Sequence, residues 1–150
     1  MGKYDSAAST LEHKMMVIKY MNLIIQELLT RSEEHDNLKL QDPEKDLFDV
    51  YTPKLADTEY GSEEYKEQLA GLKPALDHHY ARYRHHPEHF KNGVKDMNLI
   101  DLIEMLCDWK AASLRQMNGN ILTSIHNNAE RFGYSEELSQ IFVNSVDLFE

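Results

Sequence analysis

Apolar residues in this chain recur at intervals of three and four, and no segment sustains the alternation that a half-buried strand requires. Leu11, Met15, Ile18, Met21, Ile25 and Leu28 share one stripe of a helix, and Leu99, Leu102, Ile103 and Leu106 share another. The pattern predicts an all-α, single-domain helical bundle of about six helices. The 150 residues suffice for one domain with its own core, so residues 1–150 read as one unit with a flexible tail over 1–9.

Helix boundaries follow from the punctuating residues. Asp42 is placed to cap a helix with Pro43 at its first position. Gly61 can end that helix and Ser62 can cap the next. The next helix carries Tyr65, Leu69, Leu72 and Leu76, with a kink expected at Pro74. It should stop near His86, because Pro87 disfavours helix in the residue before it. "KNGVKDMN" reads as a loop. A helix is expected from Leu99 to Met117, then a turn at "NGN" and two shorter helices, the last capped by Ser135.

Charge narrows the function. The net charge of −10 argues against binding DNA or RNA duplexes, which requires a basic surface. No apolar run approaches the roughly 20 residues of a membrane span, and the N-terminus has no apolar signal core. Cys107 is the only cysteine, so no intrachain disulfide can form. These features fit a cytoplasmic protein. Within "IEMLCDW", Cys107 reads as a small core residue.

Five of the eight histidines fall between His78 and Phe90. Imidazole is the commonest protein metal ligand. The stretch from His78 to Lys95 is also locally basic, with Arg82, Arg84, Lys91 and Lys95 against the single acid Glu88. His78 and His85, like His79 and His86, are seven apart. On a straight helix each pair shares a face about 10 Å apart, too far to hold one ion between them. Such a pair could bridge two sites, or set one histidine on metal and the other on substrate. Of the two, His79 and His86 are the preferred pair. His126 reads as an exposed helix residue.

Two further elements can join the histidines. His35 and Asp36 are adjacent, with Lys39 three residues on. They supply the nitrogen and oxygen donors that suit Zn, Mn, Fe or Mg. Asp101, Glu104 and Asp108 form an acidic stripe on the predicted Leu99 helix. The Glu104–Asp108 pair would destabilise an isolated helix by roughly 0.2–0.5 kcal/mol. Asp108 lies beside Cys107 and Trp109, and a buried carboxylate there needs a cation or hydrogen bonds.

The order His13, "HDNLK" at His35, "HHPE" at His85, and Asp108 in "CDWKAASLR" resembles the HD-domain superfamily of metal-dependent phosphohydrolases. The whole chain looks still more like a small family found in phage and bacterial genomes. The resemblance implies an HD-domain-like fold in which His35, Asp36, Asp108, His79, His86 and His13 hold one or two divalent ions (Mn, Fe, Zn, Co, Ni or Mg). It implies hydrolysis of a small phosphate ester, most naturally a nucleotide, by metal-activated water. Lys39, Arg82 and Arg84 would hold phosphate oxygens. His86, Glu104 and Lys39 stand as candidate catalytic groups. The superfamily's diesterase branch carries Gly-Tyr-Pro after the double histidine. Here the chain reads "KNGVKD", so cyclic-dinucleotide cleavage is not indicated.

His13 fits only if the chain reverses. On one unbroken helix it would lie roughly 33 Å from His35, whereas ligands of one ion each lie about 2 Å from it. The rival reading is a non-catalytic helical binding or regulatory protein, with a structural metal or none. Di-iron bundles need Glu-x-x-His, and no histidine here has glutamate three positions before it. His-Glu-x-x-His, Walker and Rossmann patterns are also absent. The apolar "QIFVNSVDLF" near the C-terminus could form a homodimer interface.

Overall fold

A computed structural model of the chain describes residues 4–59, 61–115 and 119–150. Among the described residues there are six α-helices and no strand. The chain divides into two compact units, Met1–Glu34 and His35–Glu150.

The first unit is essentially one helix, α1, Ala7–Glu34. It starts inside the expected tail and runs unbroken for 28 residues, through the segment where a reversal was considered. None of its residues is buried.

The second unit begins with a 3₁₀ turn, Asn37–Leu40, followed by α2, Glu44–Ala56, and α3, Glu63–Arg82. The Ser62 hydroxyl caps α3 by accepting from the Tyr65 N–H, as its position predicted. Pro43, not Asp42, is the N-cap of α2, which makes Glu44 its first residue. The two helices approach closely at Gly71. A Cβ there would run into the Tyr51 ring, so a larger residue would have to displace that ring. Leu72, Ala75 and His79 are the buried residues of α3, spaced along one face.

α3 ends at Arg82, four residues before the expected stop, and Tyr83 is extended. His86 is also extended, as expected before proline. Tertiary partners hold the chain beyond the helix end. The Leu38 N–H donates to the Tyr83 hydroxyl at 2.8 Å. Arg84 donates to both carboxylate oxygens of Asp101, at 3.0 and 2.8 Å. Two 3₁₀ turns follow, Pro87–His89 and Gly93–Asp96, the second within the segment expected to be a plain loop.

The remaining helices are α4, Leu99–Ser113, α5, Ile121–Phe132, and α6, Glu136–Ser145, with a last turn at Val146–Phe149. Asn98 and Asp101 cap α4 reciprocally. Ser135 caps α6, as predicted. α4 stops at Ser113; the expected end at Met117, and part of the "NGN" turn, lie outside the described residues.

The core gathers Met105 and Leu106 of α4, Ile121 and Ile125 of α5, and Phe142 of α6. Trp109 and Tyr134 meet Phe142 edge-on, with centroids 5.8 and 5.5 Å away. Phe142, Val146 and Phe149 turn inward, so half of the apolar residues of the proposed dimer segment are used by this core. Cys107 faces outward and is exposed, not a core residue. His126 is exposed, as expected.

Candidate metal centre

Asp36 is the pivot of the site. It lies two residues past the end of α1 and has φ 57, the only positive φ outside glycine among the described residues. Aspartate visits this region more readily than most residues, but the conformation still needs support from its surroundings. The Lys39 N–H donates to the Asp36 carbonyl at 2.9 Å, and Lys39 Nζ donates to Oδ2 at 2.7 Å.

The other Asp36 oxygen faces the histidine segment. Oδ1 lies 3.2 Å from His79 Nε2 and 3.6 Å from His85 Nε2. His86 Nε2 is 3.0 Å from His79 Nε2. On the opposite side, His35 Nε2 is 3.7 Å from Asp36 Oδ2 and 3.6 Å from Asp108 Oδ1. One ligand atom from each of Asp36, His79, His85 and His86 lies within 4.8 Å of the others, and the same holds for His35, Asp36 and Asp108. These groups could each hold a metal ion, with Asp36 common to both.

The seven-residue spacing thus brings both histidines to one place after all. The straight-helix argument fails because α3 ends at Arg82 and the chain folds His85 and His86 back toward His79. The preferred His79 and His86 do converge. His85, set aside with His78, converges too and is 1% exposed.

Two carboxylates stand behind these imidazoles. Glu104 Oε1 accepts from His35 Nδ1 at 2.8 Å and lies 3.0 Å from His85 Nδ1, out of line for a hydrogen bond. His35, His85 and Glu104 form a third group close enough for an ion. The His35 Nδ1 hydrogen bond already occupies that side. Glu44, fully buried, accepts from His78 Nδ1 and His79 Nδ1.

The donor set fits a cation. Asp36 Oδ1 and His85 Nε2 are buried, face each other, and have no hydrogen-bond partner. Leaving such groups unpaired costs about 1–3 kcal/mol each. A cation between them would satisfy both. The mixture of imidazole nitrogens and carboxylate oxygens suits divalent transition ions.

The electrostatics point the same way. The neighbouring carboxylates of Asp108 and Glu104 raise His35 from 6.5 to about 10, so without metal its imidazolium is the local counter-cation. Burial opposes ionisation of Asp36, but the adjacent His79 and Lys39 outweigh it and hold the carboxyl far below its usual range. Burial opposes ionisation of Asp108 too, but the neighbouring His35 outweighs it and lowers the carboxyl. Burial, then the nearby His85 and His79, push His86 down to about 3. At neutral pH His86 is therefore an uncharged imidazole that can offer a lone pair.

Several sequence assignments change. Arg84 is committed to the buried Asp101 and stacks on Phe90, so it serves the fold and not phosphate. Arg82 is exposed and donates to the His78 carbonyl on its own helix. Lys39 stays at the edge of the site, on Asp36 and over the Phe48 ring. Glu104 stands on the Nδ1 side of its histidines, which makes it a support for them. His13 lies on the unbroken α1, about 31 Å along the axis from Glu34. The reversal that a His13 ligand requires does not occur. Sequence reasoning missed Glu44 altogether. An acid opening a helix reads as a partner for the helix dipole, and nothing in its spacing points to His78 or His79.

The chain belongs to the family described as a family of unknown function (DUF5662), which it matches over residues 2–148. No curated protein matches it. No solved structure matches it either. Among the described residues no helix is long and apolar enough to cross a membrane.

Proposed function

We propose that this protein is a cytoplasmic, divalent-metal-dependent phosphohydrolase acting on a small phosphate ester, most naturally a nucleotide. One observation carries the reading: both oxygens of Asp36 face nitrogen donors, and Oδ1 and His85 Nε2 are buried without partners. The substrate rests on the resemblance to HD-domain phosphohydrolases.

His79, His85 and His86 would hold an ion with Asp36 Oδ1, and His35 and Asp108 would hold one with Asp36 Oδ2. When bound, a divalent ion supplies Lewis acidity and lowers the pKa of water for attack at phosphorus. The protein's own part is positional. Glu104 orients His35 through its Nδ1. Lys39, partly exposed beside Asp36, can turn its ammonium to a phosphoryl oxygen. His35, Asp36 and Asp108 are each 23–28% exposed, so substrate approaches from their side.

A second reading has one observation in its favour. Asp36, His79, His85 and His86 can close four positions around an ion, as structural sites do. The protein would then be a non-catalytic binding module. The test is metal analysis of purified protein, followed by a phosphatase screen with Mn, Co, Mg and Ni. Bound metal with turnover supports the hydrolase. Metal without turnover on any ester supports the module. Absence of both removes the metal-centre reading.

A further inference from the structure

Glu44 lies outside every group of candidate ligands, yet it is completely buried and wholly engaged. Its Oε2 accepts from His79 Nδ1 at 2.9 Å, and its Oε1 accepts from His78 Nδ1 at 2.6 Å. A neutral imidazole carries one ring hydrogen. Held on Nδ1 by an acceptor, that hydrogen leaves Nε2 with a free lone pair. His79 Nε2 is the atom that faces Asp36 Oδ1 and His86 Nε2.

We infer that Glu44 is the positioning residue of the centre, setting the tautomer and ring orientation of His79 so that Nε2 enters as a ready donor. The inference rests on the metal-centre reading above. The geometry gives Glu44 little freedom. Gripped at both oxygens, its carboxylate cannot rotate away from His79. Its helix is locked to α3 by the glycine-permitted approach of Gly71 to Tyr51. Being 0% exposed, it has no water to substitute for the acceptor. His78 is partly exposed and braces the carboxylate from the other side. Carboxylates in this position raise the basicity of the ligating imidazole, and their loss weakens metal binding about 10- to 100-fold.

The test uses the full chain and Zn2+, a diamagnetic probe. Long-range 1H–15N spectra of the Zn2+-loaded protein should show the His79 hydrogen on Nδ1 and the metal on Nε2. The opposite tautomer overturns the inference without any variant. Titration calorimetry then compares wild type, Glu44→Leu and Glu44→Gln. Glu44→Leu should lose about 10- to 100-fold in Zn2+ affinity. Glu44→Gln should recover most of it, because its carbonyl can still accept from His79 while His78 turns to solvent. If Glu44→Leu binds Zn2+ as tightly as wild type, Glu44 positions nothing and the metal centre stands without it. If wild type itself binds no Zn2+, Mn2+ or Co2+, both readings fall together. Should Glu44→Leu not fold, the tautomer in wild type decides the matter alone.

Discussion

Helix α4 borders two regions that are built on opposite principles. On one side Met105, Leu106 and Trp109 meet α5 and α6 in an apolar cluster. On the other, Asp101, Glu104 and Asp108 meet Arg84, His35 and His85. The apolar side is held by packing, with Trp109 and Tyr134 edge-on to Phe142, and the Tyr134 hydroxyl donates to the Ile125 carbonyl. The polar side keeps three buried atoms without partners, Asp36 Oδ1 and both ring nitrogens of His85, after every protein hydrogen bond is counted. The difference teaches that one face of α4 is complete as it stands and the other is built for something the polypeptide does not supply.

The comparison can be broken from either side. Phe142→Ala should cost about 3–5 kcal/mol in urea unfolding, by removing the centre of the apolar cluster. Its metal affinity, measured on folded protein, should not change. A parallel loss of metal affinity would show that the two regions are not independent. Asp36→Asn keeps a side chain that tolerates the positive φ but removes the shared anion. It should weaken metal binding by more than about 100-fold, beyond what loss of an outer partner does. Wild type at about 100 times its Kd for metal should gain about 2.7 kcal/mol of stability. The variant should gain almost none in the same thermal scan.

Arg84→Met sharpens the boundary between fold and site. It leaves the buried Asp101 carboxylate short of partners and should cost about 1–3 kcal/mol. KM for any phosphate ester the protein turns over should stay as in wild type. A rise in KM with unchanged stability would return Arg84 to the substrate. The smallest effect concerns pH in chelator. His35 is raised from 6.5 to about 10 in the folded, metal-free chain. Its contribution is therefore fully present below about 6.5 and lost as pH rises through about 10. Midpoints in chelator should fall over that window. With saturating metal, His35 is held as a neutral ligand and this decline should disappear.

Much of this arrangement was legible beforehand, and the exceptions share a cause. Caps and stripes are local, so Ser62, Ser135 and the acidic face of α4 follow from the residues themselves. His35, Asp36 and Asp108 were grouped by resemblance, and the fold does place them together. His85 and His86 were judged on a helix that was assumed to continue. The helix ends early because Tyr83 and Arg84 find partners 45 and 17 residues away in sequence, which no local pattern reveals. Glu44 is hidden for the same reason, since its two histidines are 34 and 35 residues distant. Arg84 looked free because its partner, Asp101, was read only as part of a stripe. Cys107 shows the limit of neighbours as a guide: apolar residues flank it in sequence, but its own angle on α4 faces outward.

The most direct test of the central claim is anomalous scattering from a crystal grown with Mn2+ or Zn2+. The account predicts a peak about 2.0–2.2 Å from an Asp36 carboxylate oxygen and from Nε2 of His79, His85 or His86, or from His35 and Asp108 beside Asp36's other oxygen. A well-ordered cluster with no peak there, or an ion bound elsewhere while these side chains keep to one another, would contradict it.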